Sequence, residues 1–181
     1  MKKIKILYLI ILIFFILNII IGFMDYNNVL KLAESIFGEF KEVVTEETLS
    51  TKIKLMLIIF TRNLSVASIM IVTGPFLALL AIIITSFNGY VIGGIAHYSI
   101  INRGVVKTLA LIVPHGVIEV PTILYAAYLS IYIAVEYYRN RDKFYLIYLQ
   151  SLKNIILRIA PLLLIAAFIE TFITPYIASL L

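Results

Sequence analysis

Cysteine and tryptophan are absent from the 181 residues, and histidine occurs only twice. The missing cysteine excludes disulfides, thiolate metal centres and thiol nucleophiles together. Charge is scarce as well: Asp, Glu, Lys and Arg make up 14% of the chain, against about 25% in a soluble domain. What is there instead is apolar, with 62% hydrophobic residues and a mean hydropathy of +1.07. Runs of about 20 apolar residues are helical membrane spans, so composition predicts an all-α, polytopic membrane bundle. Residues 1–181 form a single integral membrane domain, with no room for a separate soluble domain of ordinary size. The net charge of +5 comes from lysines and arginines at the ends of apolar segments. They act as topology determinants rather than as a nucleic-acid surface, and no nucleic-acid partner is expected.

The chain opens with a basic cluster, residues 1–5, and an apolar run over residues 6–23. A signal peptide has the same order of charge and apolarity. Its apolar core is only about 7–15 residues, however, and no small-x-small cleavage site precedes Asp25, so a retained span is expected. Four further spans follow, over about 55–73, 76–96, 109–135 and 155–181. Gly74-Pro75 separates the second from the third and predicts a tight hairpin there. Between the first two spans, Val29, Leu32, Ala33, Ile36, Phe37, Phe40, Val43 and Val44 recur at helical spacing. They predict an amphipathic helix over about 28–44, capped by Asn27 or Asn28 and lying across the mouth of the bundle. Five spans place residues 1–5 and the basic connector Tyr137 to Lys153 on one side of the membrane. The positive-inside rule then predicts a multi-pass cell-membrane protein with a cytoplasmic N-terminus. The amphipathic helix, a Ser99 to Lys107 loop and the C-terminus are expected outside. Tyr137, Tyr138, Phe144, Tyr145 and Tyr148 stand where an interfacial aromatic belt belongs. The chain shows no internal repeat and no low-complexity tract.

The few polar residues inside spans are the candidates for function, because an ionisable group at membrane depth is costly unless it faces protein or water. His115 and Glu119 are four residues apart and share a helix face. With about 1.5 Å of rise per residue, Arg62, His115 and Glu170 each fall about 12 Å below the outer surface, and Glu119 about 18 Å below it. Asn88 comes to the same level. One intramembrane polar cluster of Arg62, Asn63, Asn88, His115, Glu119 and Glu170 is therefore expected, in which Arg62 offsets a carboxylate. Pro114, Gly116 and Pro121 beside it, and Pro175 after Glu170, predict kinks or local unwinding. Gly89 and Gly93 predict close helix packing.

Pro114-His115-Gly116-Val117-Ile118-Glu119, together with Asn88-Gly89, Gly93 and the C-terminal Glu170-Thr-Phe-Ile-Thr-Pro175, resembles the stage II sporulation protein M family of polytopic membrane proteins. The resemblance covers roughly residues 55–175, and its two motifs are specific in combination. In spore-forming bacteria it implies a membrane scaffold that holds cell-wall hydrolases. Elsewhere in the family it implies no general activity, and no partner-binding residues transfer.

No catalytic motif is expected. A metal set of His115, Glu119 and Glu170 with His97 lacks a His-Glu-x-x-His pair, and His97 falls about three turns from the polar layer. No metal, cofactor or nucleotide signature is present. Two functions remain open. One is a scaffold or assembly platform for envelope-active proteins, its partners being the bilayer, other proteins or a second copy. The other is a proton- or solute-conducting transporter or permease subunit built on the His/Glu layer.

Overall fold

In the computed structural model, residues 2–37 and 48–181 are described, and among them there is no strand. Helix α1 covers Lys2–Met24 and α2 covers Tyr26–Phe37. Helix α3 covers Leu49–Arg103, α4 covers Val105–Arg139 and α5 covers Arg141–Asn154. A π-helical turn at Ile155–Ile159, α6 at Ala160–Phe168, a second π-helical turn at Ile169–Ile173 and α7 at Thr174–Ser179 complete the chain. Among the described residues, four helical runs are long and apolar enough to cross a membrane: Ile6–Met24, Leu49–Arg103, Val105–Arg139 and Arg141–Ser179.

The count differs from the expected five because the second and third expected spans form one run, α3. That run is doubled back on itself. Leu77 leaves the helical region, with φ −127° and ψ 46°. Across this break Thr85 Oγ1 lies 4.0 Å from the Met70 sulfur, 15 residues away; a straight helix would hold the two about 22 Å apart. The hairpin therefore turns at Leu77 and not at Gly74-Pro75. Gly74 is fixed instead against α4, where a Cβ would stand 2.8 Å from the Ser130 carbonyl. The bend passes to exposed Leu77, just beyond Pro75, whose missing N–H weakens the ladder. The two arms, residues 49–76 and 78–103, pack against one another.

Helix α1 runs beside the second arm, and glycine permits the contact. A methyl at Gly89 would meet the Phe15 carbonyl at 2.6 Å, and one at Gly93 would overlap the Ile19 carbonyl. Helix α2 starts at Tyr26, so Asn27 and Asn28 lie inside its first turn and do not cap it. Asp25 occupies the corner: its carbonyl accepts from the Asn28 and Val29 amides, and its Oδ1 accepts from Asn28 Nδ2 at 2.8 Å. Buried Val29 then seats α2 on Gly94 of the second arm. The remainder of the expected amphipathic helix, including Glu39, Phe40, Lys41, Glu42, Val43 and Val44, lies outside the described residues.

The expected loop from Ser99 to Lys107 shrinks to one residue, Gly104, with φ 81° and ψ 165°. Both helices extend to meet there because Thr108 Oγ1 donates to Ser99 Oγ at 2.8 Å in a buried contact, satisfying two hydroxyls at the junction. Helix α4 is the most buried of the long helices described. More than half of its most apolar window is buried in the chain, against 17% for α1. It passes through Pro114 and Pro121 as one helix, so the unwinding expected there does not occur. Packing on several sides keeps a proline-containing span helical.

The connector from Tyr137 to Lys153 is also helical, being α5 behind an Asn140 cap that accepts from the Lys143 amide at 3.3 Å. The C-terminal run widens into its π-helical turns just ahead of Pro161 and Pro175. Each proline lacks an N–H and crowds the carbonyl one turn back, which a wider turn relieves. Phe76, Tyr137 and Phe144 form edge contacts at 5.0–6.0 Å, and Tyr148 Oη donates to the Val72 carbonyl at 3.3 Å. The hairpin tip, the end of α4 and the start of α5 therefore meet at one end of the bundle, where Arg139, Arg141 and Lys143 are exposed.

Candidate functional site

Helical period decides which side chains face inward on each element. Arg62 and Asn63 sit on the first arm of α3 and Asn88 on the second. His115 and Glu119 share a face of α4, and Glu170 belongs to the second π-helical turn. All six line one cavity of about 500 Å³, walled elsewhere by apolar side chains such as Ile59, Val66, Ile84 and Ile112.

Within the cavity, donor atoms of His115, Glu119 and Glu170 lie within 4.8 Å of one another. Asn63 hydrogen-bonds the Glu119 side chain. Arg62 is close enough to interact electrostatically with both carboxylates. Asn88 lines the cavity but commits its amide nitrogen to the Ile84 carbonyl at 2.9 Å, one turn back on its own arm. The cavity thus holds two carboxylates, one guanidinium and one imidazole, on three separate stretches of chain, where each charge is costly unless partnered.

Thr174 joins the group without having been singled out by the sequence. Its Oγ1 lies 3.5 Å from Nδ1 of His115. Glu170 and Thr174 are four residues apart on a helix that faces α4, a spacing that pointed to Thr174 in advance. Gly116 lines the cavity, yet a Cβ there would meet only Ile112 Cγ2 at 4.0 Å, so it is not a close-packing position.

His97 stands apart from the cavity. Its ring stacks on Phe23 at 4.3 Å, contacts Tyr26 at 4.4 Å, and its Nδ1 pairs with the Phe23 carbonyl. Tyr90 Oη donates to Asp25 Oδ2 at 2.7 Å nearby. These contacts pin the α1–α2 corner to the second arm. A second feature not anticipated from the sequence is a ladder of Tyr125, Tyr128 and Tyr132 with centroids 5.9–6.3 Å apart, joined by Tyr8 at 6.4 Å. The helical spacing of these three on α4 was its signal.

Long apolar helices gathered around a cluster of polar side chains define an all-α membrane protein. The chain belongs to the stage II sporulation protein M family, whose description matches residues 11–175 and so takes in every residue of the cavity. An uncharacterized protein of Methanocaldococcus jannaschii is 30% identical over 176 residues, covering 94% of both chains. No solved structure matches the chain.

Proposed function

We propose that this protein is a multi-pass platform of the cell membrane on which envelope-active proteins assemble, with its N-terminus in the cytoplasm and its C-terminus outside. The observation that carries the proposal is a polar cluster that links three stretches of chain inside one cavity while the outer faces stay apolar. Asn63, Glu119, Glu170 and His115 tie together the register of the first arm of α3, of α4 and of the C-terminal run. Buried polar groups of this kind act as specificity devices, since a slipped register would leave charge unpaired. Meanwhile Ile13, Phe14, Leu17, Ile20 and Ile21 of α1 are turned away from the chain. A rigid body with a broad apolar outer face suits lateral docking of other membrane helices. Co-purification from native membranes tests this. Defined partners are expected with the full chain and their loss on deletion of residues 25–47; a chain recovered alone in its native membranes overturns it.

The cavity favours a second function, conduction of a proton or a small solute. Titratable groups on facing helices at membrane depth are how such sites are built. Reconstituted protein would then move solute across vesicles, and Glu119→Gln would stop it. Flux unaffected by that substitution removes this alternative.

A further inference from the structure

We propose that His115, Glu119 and Glu170 form a binding site for one divalent first-row transition-metal ion, of which Zn²⁺ and Co²⁺ are the probes to use. The proposal goes beyond both functions above and depends on neither, because a platform or a conduit could hold such an ion.

Three observations converge on it. The first is the donor set and its spacing. One imidazole and two carboxylate ligand atoms come within 4.8 Å of one another. Donors around a tetrahedral ion with bonds of about 2.1 Å sit about 3.4 Å apart. The difference, roughly 1.4 Å, lies within the reach of glutamate side-chain rotation. His115 and Glu119 at positions i and i+4 of one helix converge on a common point, as metal-binding pairs on helices do. Glu170 closes the set from the opposite helix.

The second is the outer hydrogen bonding. A metal-bound histidine is held by a partner on its other ring nitrogen, and ligating carboxylates are themselves hydrogen-bonded. Thr174 Oγ1 faces Nδ1 of His115 at 3.5 Å, which leaves Nε2 for the ion. Asn63 hydrogen-bonds Glu119. The third is charge. Arg62 answers only one of the two carboxylates it interacts with. When both carboxylates are ionised, they and the guanidinium carry a net negative charge that a bound cation offsets. The imidazole selects against sodium, potassium, magnesium and calcium, which prefer oxygen, and in favour of first-row divalent ions. Glu170 sits in a π-helical turn, a local widening frequent at functional sites.

The chain contains no cysteine, and its other histidine is held in the α1–α2 corner, so few competing ligands exist. The test uses full-length protein purified in detergent through a histidine-free tag and stripped with chelator. Equilibrium titration with Zn²⁺ should show one ion per chain. Glu170→Gln and His115→Gln should each weaken binding at least tenfold, while His97→Ala leaves it unchanged. Size-exclusion elution confirms that the variants remain folded. Should they not, Co²⁺ added to the unaltered chain provides the check, since an N/O site of low coordination gives a visible absorption band at one equivalent. Sub-stoichiometric Zn²⁺ uptake, wild-type affinity in folded Glu170→Gln, or no Co²⁺ band overturns the proposal.

Discussion

Gly93 of the second α3 arm lies directly on the Ile19 carbonyl of α1, so closely that a Cβ at this position would overlap it. The Phe23 amide stands 2.8 Å from the same point. Both obstacles are backbone, which cannot rotate away as a side chain can. Replacing Gly93 with Ala should therefore separate the two helices and lower stability by about 1–3 kcal/mol. Gly116→Ala makes the control, because its nearest neighbour is a methyl at 4.0 Å. Thermal unfolding in one detergent should show a large fall for the first variant and little change for the second.

Gly104 has open space around it but a φ of 81° with ψ 165°. That backbone region is essentially reserved for glycine, and forcing another residue into it costs about 1–3 kcal/mol. Gly104→Ala should be destabilised by this amount although it touches nothing. An unchanged midpoint would mean that the α3–α4 junction relaxes.

Met70 and Thr85 are neighbours only if α3 folds back at Leu77. Because the chain has no cysteine of its own, the double variant Met70→Cys, Thr85→Cys reports on this contact alone. Mild oxidation should remove both free thiols within one chain. Either single variant, Met70→Cys or Thr85→Cys, should keep its thiol under the same treatment. Persistent thiols in the double variant would count against the hairpin.

Asn63 and Glu119 belong to different helices and are joined by a side-chain hydrogen bond. A double-mutant cycle of Asn63→Ala and Glu119→Gln should give a coupling of about 0.5–3 kcal/mol, the range for residues in one polar network. Strict additivity in unfolding measurements would place the two side chains out of contact.

The polar layer was legible in the sequence because rise per residue alone brings Arg62, Asn88, His115 and Glu170 to a common depth. Depth says nothing about which way a side chain points, and the single cavity that all six residues line needed tertiary coordinates. Thr174 was not singled out because a threonine in a span is unremarkable until a histidine stands across from it. The breaks were harder to place. Gly74-Pro75 carries the strongest local turn signal in the chain, yet contact with Ser130 holds that segment helical and moves the bend to Leu77. Pro114 and Pro121 do not interrupt α4, which is supported by its neighbours.

By itself the sequence determined class and content. A chain with 62% hydrophobic residues and 14% charged ones can satisfy its backbone in lipid only by forming helices, and its sparse polar residues have to be shared among them. Only the tertiary structure decided where helices end, which glycines are contacts, and that His115, Glu119 and Glu170 meet. The reason is physical: composition and periodicity are sums over one segment, whereas a bend or a three-residue site depends on what the neighbouring helix presents at one point in space.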